Sequence, residues 1–99
     1  MGYTLIVLRS FGDKDTERVW RREAVRKFHG DLQRVALRKL VILDAAETVG
    51  DLRVPPGNRL EKLSGDRAGQ HSIRINDQWR VCFCWTKAGP EDVTITDYH

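Results

Sequence analysis

From Leu60 to the end of the chain, apolar residues return at every second position, through Leu60–Leu63, Gln70–Asn76, Trp79–Thr86 and Asp92–Tyr98. A period of two puts neighbouring side chains on opposite faces of an extended backbone, so this part of the chain is read as strands. Before it the spacing is helical: Leu32, Val35, Ala36, Leu40 and Leu43 share one face of a helix, with Arg34 and Arg38 elsewhere on it. Pro55-Pro56-Gly57-Asn58 separates the two regimes as a rigid turn. Further upstream, Tyr3–Arg9 reads as a strand and Ser10–Lys14 as a turn. Asp13 or Asp15 is placed to cap a first helix running to about Phe28, which Gly30 breaks. Asp31 is then expected to cap the second helix, Leu32 to about Ala46. The order is strand, two helices, antiparallel β-meander. That is an α+β fold with helices packed on one side of a sheet, in a single domain over residues 1–99. No repeat, low-complexity stretch or linker interrupts it.

Side chains register the middle hairpin. His71, Ile73 and Ile75 share a face, as do Trp79, Val81, Phe83 and Trp85. Facing them requires Ile75 opposite Trp79 and Ile73 opposite Val81, with Asn76-Asp77-Gln78 as the loop. The other face then carries Arg74 directly opposite Arg80. Like charges across a strand pair repel by some tenths of a kcal/mol, so either the two arginines splay into water or an anion belongs between them. Gly65-Asp66-Arg67-Ala68-Gly69, just before the hairpin, either presents Arg67 beside the sheet or is an ordinary turn. It lacks the lysine and Ser/Thr of a nucleotide-triphosphate loop.

Of 17 basic residues 12 are arginine, and the net charge is +3. Arginine's planar fork suits phosphate and carboxylate. Arg18, Arg21, Arg22 and Arg26 crowd one segment, as a solvated helix face or as a contact for nucleic acid or an acidic protein. Cys82 and Cys84, two apart on one strand, have poor disulfide geometry and are read as reduced packing residues, in keeping with a cytoplasmic setting. The Leu5–Leu8 run is too short for a signal peptide core, and no stretch reaches membrane-spanning length.

The continuous stretch Leu60 to Arg80, followed by Cys82-Phe83 and ending in Asp97-Tyr98-His99, resembles the HigB toxins of the RelE/ParE superfamily of type II toxin–antitoxin systems. Pro55-Pro56-Gly57-Asn58 and Asp31-Leu32-Gln33 extend the resemblance over nearly the whole chain. It implies a RelE-like fold and a ribosome-dependent, metal-independent endoribonuclease that cuts mRNA in the ribosomal A site and uses no cofactor. The implied partners are the 30S A site with its mRNA and a HigA-like helix-turn-helix antitoxin, with DNA reached only through the antitoxin complex and no membrane.

Cleaving RNA without metal uses the 2′-OH as nucleophile. The step needs a base for that hydroxyl, cations for the phosphate and an acid for the departing 5′ oxygen. By resemblance Asp97, Tyr98 and His99 match the terminal catalytic residues, and Arg80 matches an arginine at the scissile region. Arg67, Arg74 and Lys62 are then RNA-binding. The chain departs from some relatives in carrying Glu61 where they place a catalytic histidine. A glutamate can act as a base, so Glu61 is counted among the catalytic candidates, but the unperturbed pKa of a glutamate near 4.3 lies well below a histidine's, which leaves His99 as the group nearest neutrality. His71 faces the apolar side and is read as structural, and His29 as a surface residue. The cluster Arg18, Arg21, Arg22 and Arg26 is the expected antitoxin contact. Two alternatives differ in class: a ParE-like inhibitor of DNA gyrase, which has no need of Asp-Tyr-His in a row, and a plain RNA-binding module, which would expose aromatics for stacking. Trp79, Phe83 and Trp85 lie on the expected core face, and Trp20 either packs its helix on the sheet or is exposed.

Overall fold

Residues 10–97 are described by the structure, a computed structural model. The expected strand Tyr3–Arg9 and the terminal Tyr98 and His99 lie outside the described residues. Helix α1 (Lys14–Trp20) starts at Asp13, whose carboxylate accepts from the Thr16 N–H at 2.7 Å. It ends eight residues before the expected Phe28. The Glu23 N–H donates to the Arg18 carbonyl at 2.9 Å and the Arg22 N–H to the Val19 carbonyl at 3.0 Å, which closes the helix as a Schellman motif. The left-handed position, which glycine normally fills, is taken by Arg22 with φ of 64°. Its guanidinium folds back to bond the Trp20 carbonyl at 2.7 Å and lies 5.5 Å from the Trp20 ring centroid.

The segment that follows is tied to the second helix by one amide. Gln33 accepts from the Val25 N–H at 2.9 Å and donates to the Glu23 carbonyl at 2.7 Å. Helix α2 (Gly30–Ala45) therefore begins at the glycine expected to be a break. Its N-cap is His29, which makes no capping bond through its side chain. Asp31, expected as the cap, sits inside the first turn, where it favours the helix dipole and pairs with Arg34 at 2.8 Å. Two short 3₁₀ turns, Val49–Arg53 and Pro56–Asn58, then carry the chain to the sheet.

Among the described residues the sheet has four strands in the order β1 (Glu61–Lys62), β2 (Gln70–Arg74), β3 (Trp79–Thr86) and β4 (Gly89–Asp97), all antiparallel. The hairpin register is as read from the sequence: Ile73 faces Val81, Arg74 faces Arg80, and the Ile75 N–H donates to the Trp79 carbonyl at 2.9 Å. β4 begins three residues earlier than the alternation implied. Cys82 faces Thr94 while Cys84 faces Glu91, so β4 carries one extra residue, and Asp92 takes φ of 53° there. On the far side of β4, Phe11 bridges Val93 in parallel, and Ser10 accepts from the Val93 and Asp92 N–H groups.

Both helices cover one face of the sheet. Val19, Phe28, Ala36, Leu40 and Leu43 pack against Ile73, Val81, Phe83, Val93 and Ile95, all buried. Trp79 meets Phe28 edge-on at 5.3 Å, Trp85 meets Phe83 at 6.4 Å, and Trp20 packs on the core beside Phe11 at 6.5 Å. The described tryptophans are thus packing residues. A buried hydroxyl joins helix to strand: Thr16 Oγ1 accepts from the Ile95 N–H at 2.9 Å. Cys82 and Cys84 are free thiols. No described helix is long and apolar enough to cross a membrane.

Candidate functional site

Strand pairing sorts the candidate residues by face, because residues directly opposite on neighbouring strands project to the same side. One row across the sheet is Glu61, Ser72, Cys82 and Thr94; the next is Arg74, Arg80 and Thr96. These side chains, with Gln70 and Cys84, form the face turned away from the helices. Lys62 faces His71, and Asp97 faces Trp79, which places both on the helical side. The structure therefore gathers Glu61, Arg74 and Arg80 on one face and sets Lys62 and Asp97 on the other.

Arg80 lies along its face. Its Nε donates to Ser72 Oγ at 2.6 Å, and its Nη2 to the Arg59 carbonyl at 2.6 Å. Arg74 directs its guanidinium to Asp77 in the hairpin loop. The two like charges are thus held apart by separate partners. Arg67 closes a 3₁₀ turn, Gly65–Arg67, flanked by Gly65 and Gly69 at φ of 63° and 95°, and donates to Gln70 Oε1 at 3.1 Å. The loop does present this guanidinium beside the sheet. A cleft of about 780 Å³ has Arg67, Gln70, Thr94, Thr96 and Asp97 in its walls, so the turn that carries Arg67 and the end of β4 that carries Asp97 share one concavity. Asp97 accepts from Gln78 Nε2 at 3.0 Å. Glu61 stands at the opposite rim, three strand spacings or about 14 Å from β4.

His71 stacks on Phe83 at 6.2 Å, and its Nδ1 is buried with no hydrogen-bond partner among the described residues. Burial, and next the Lys62 ammonium, push its pKa below the usual histidine value, so the ring is held neutral. This fits the structural role read for it.

The proposed antitoxin arginines do not form a single helix face. Arg18 is on α1, Arg21 is its C-cap and pairs with Glu17 at 2.8 Å, Arg22 curls back over Trp20, and Arg26 lies in the loop beyond.

Sequence reasoning passed over Ser72, Arg59 and Asn58. Ser72 alternates with Arg74, so the period of two places it on the arginine face. Arg59 acts through its carbonyl, which carries no trace in the residue type. Asn58 was read only as part of a turn, yet it is fully buried.

The family of RelE-like toxins of the type II toxin–antitoxin system HigB matches residues 9–99. Toxin HigB-1 of Vibrio cholerae is 52% identical over 54 residues, which are 54% of this chain and 57% of the toxin. An uncharacterized protein of Haemophilus influenzae is 40% identical over 57 residues, 58% of this chain and 56% of that protein. The chain thus spans little more than half the length of either relative. Because the family match takes in both helices, the whole meander and the arginine face, this chain belongs to the HigB-like family of RelE-like toxins.

Proposed function

We propose that the chain is the toxin of a type II toxin–antitoxin system, acting in the cytoplasm as a single domain over residues 1–99. Its activity in this reading is ribosome-dependent, metal-independent cleavage of mRNA in the A site. The observation that carries the reading is the arginine face. Arg74 and Arg80 lie side by side on the sheet face opposite the two α-helices, beside a cleft that includes Arg67 and leads to Asp97 at the end of β4. Family membership supports it.

In this reading a base among the last three residues takes the proton of the 2′-OH, whose oxygen attacks the adjacent phosphorus. The P–O5′ bond breaks, a 2′,3′-cyclic phosphate forms, and an acid from the same segment protonates the 5′ oxygen. His99 is the group of the segment that titrates nearest neutrality. Arg80 offsets the charge growing on the phosphate, and Arg67 and Arg74 hold flanking phosphates. Glu61, on the arginine face at the opposite rim of the sheet, is a further candidate base, and Lys62 meets the RNA at that rim. A HigA-like antitoxin silences the toxin by docking an acidic stretch on Arg18, Arg21, Arg22 and Arg26, with charge speeding its association.

The test is cleavage of ribosome-bound mRNA by the purified chain, mapped by primer extension. Wild type should cut in the A site, His99→Ala should be inactive, and Arg80→Ala should be slower by about 10²–10³-fold, the range for losing one preorganised donor. Intact mRNA with wild type, together with inhibited DNA supercoiling, would instead identify a gyrase inhibitor.

A further inference from the structure

Lys39 on α2 sends its Nζ to Asn58 Oδ1 at 2.6 Å. Asn58 is fully buried, and its Nδ2 donates to the Leu52 and Val54 carbonyls at 3.1 and 3.3 Å. The amide thus engages its acceptor and its donors at once, fastening the irregular 49–59 segment to the second helix. The next residue, Arg59, holds φ of 45°, and it is the Arg59 carbonyl that receives Arg80 Nη2. With Nε held on Ser72 Oγ and Nη2 on that carbonyl, two bonds restrain the orientation of a rigid, planar guanidinium. The three bonds of the buried Asn58 amide, with the Arg59 N–H donating to the Pro56 carbonyl at 3.0 Å, brace the turn from which that carbonyl projects.

Lys39 is also held against its own preference. Burial first, then the charges of Arg38 and Arg74, lower its pKa, yet its bond to Asn58 is to a neutral oxygen.

We propose that Lys39 and Asn58 are positioning residues for Arg80: they clamp the turn whose Arg59 carbonyl aims the Arg80 guanidinium at the phosphate. The inference rests on the proposed nuclease function for what Arg80 is aimed at, and on the bond chain alone for the aiming itself.

The experiment uses Lys39→Met, which keeps the stem and deletes the donor, with Lys39→Leu as the substitute should the methionine variant not fold. Nitrogen-15 NMR follows the Arg80 Nε–H signal, assigned by its loss in Arg80→Ala. In the lysine variant this signal should move and exchange with water several-fold faster. Cleavage of ribosome-bound mRNA is read in parallel as a double-mutant cycle. Lys39→Met should lower kcat about tenfold in wild type and less than about twofold in Arg80→Ala, the non-additivity of residues that act as one unit. An unmoved Arg80 signal, or equal losses in the two backgrounds, overturns the proposal. If wild type cuts no RNA the nuclease reading falls, and the Arg80 signal alone decides the positioning role.

Discussion

Replacing Thr16 with valine keeps the shape of the side chain and deletes one oxygen. That oxygen accepts from the buried Ile95 N–H at 2.9 Å, and Thr16 itself is fully buried. Valine therefore strands a main-chain donor away from water, which costs about 1–3 kcal/mol. The capping bond from the Thr16 N–H to Asp13 is untouched by the change. A domain of this length loses about 4–8 °C of Tm per kcal/mol, so Thr16→Val should melt about 4–24 °C below wild type. Serine keeps the acceptor and removes one methyl group, costing about 1 kcal/mol, and should fall between wild type and valine. Denaturant unfolding of the three proteins, compared at constant m, is the assay. A valine variant as stable as wild type, or a serine variant less stable than valine, would show that the hydroxyl does not hold α1 to β4. The strand in question is the one that leads to Asp97.

Three further perturbations have expected outcomes. In Gly12→Ala the new Cβ would stand 2.4 Å from Thr94 Cγ2 and 3.3 Å from the Asp92 carbonyl, so a loss of about 1–3 kcal/mol is expected, and adding Thr94→Ser should restore most of it in thermal melts. His71 has a folded pKa below 6.5, so the unfolded chain takes up its proton first as pH falls, and the stability that His71 leaves intact above 6.5 declines below it. The gap between wild type and His71→Phe should shift against wild type from about pH 8 to about pH 5, and parallel pH profiles would contradict the assignment. Asp51, which closes a capping box with Thr48, has a pKa lowered from 3.8 by the N–H of Glu47 first, then by the N–H and the side chain of Thr48. Its contribution is present above 3.8 and disappears as pH falls through the folded value; acid titrations of wild type and Asp51→Asn followed by circular dichroism should diverge only above that range.

The meander was legible because its two faces differ in chemistry. Matching apolar residues across the loop placed Ile73 against Val81 and Arg74 against Arg80, and no other register keeps both faces consistent. The stop of α1 was hidden for the opposite reason. Its left-handed residue is an arginine, and beyond it Val25 and Phe28 are buried as though the helix continued. The extra residue at Asp92 was equally silent, since Gly89, Pro90 and Glu91 do not alternate by polarity and the strand was read only from Asp92 on. In the candidate site, the residue types Arg67, Arg74 and Arg80 could be named, whereas the carbonyl of Arg59 that orients Arg80 comes from a fold of the chain that no side chain announces.

The Gln33 hook gives the stretch after α1 an unusual dynamic signature. Val25 belongs to neither a helix nor a strand, yet its amide hydrogen is held by a side chain eight residues further on. In native-state hydrogen exchange that amide should exchange slowly, and its opening free energy should match the first turn of α2 and not the flanking loop. Gln33→Leu should release it while leaving the α2 amides slow. A protected proton in irregular chain would thus serve as a local gauge of when the amino-terminal end of the second helix comes loose.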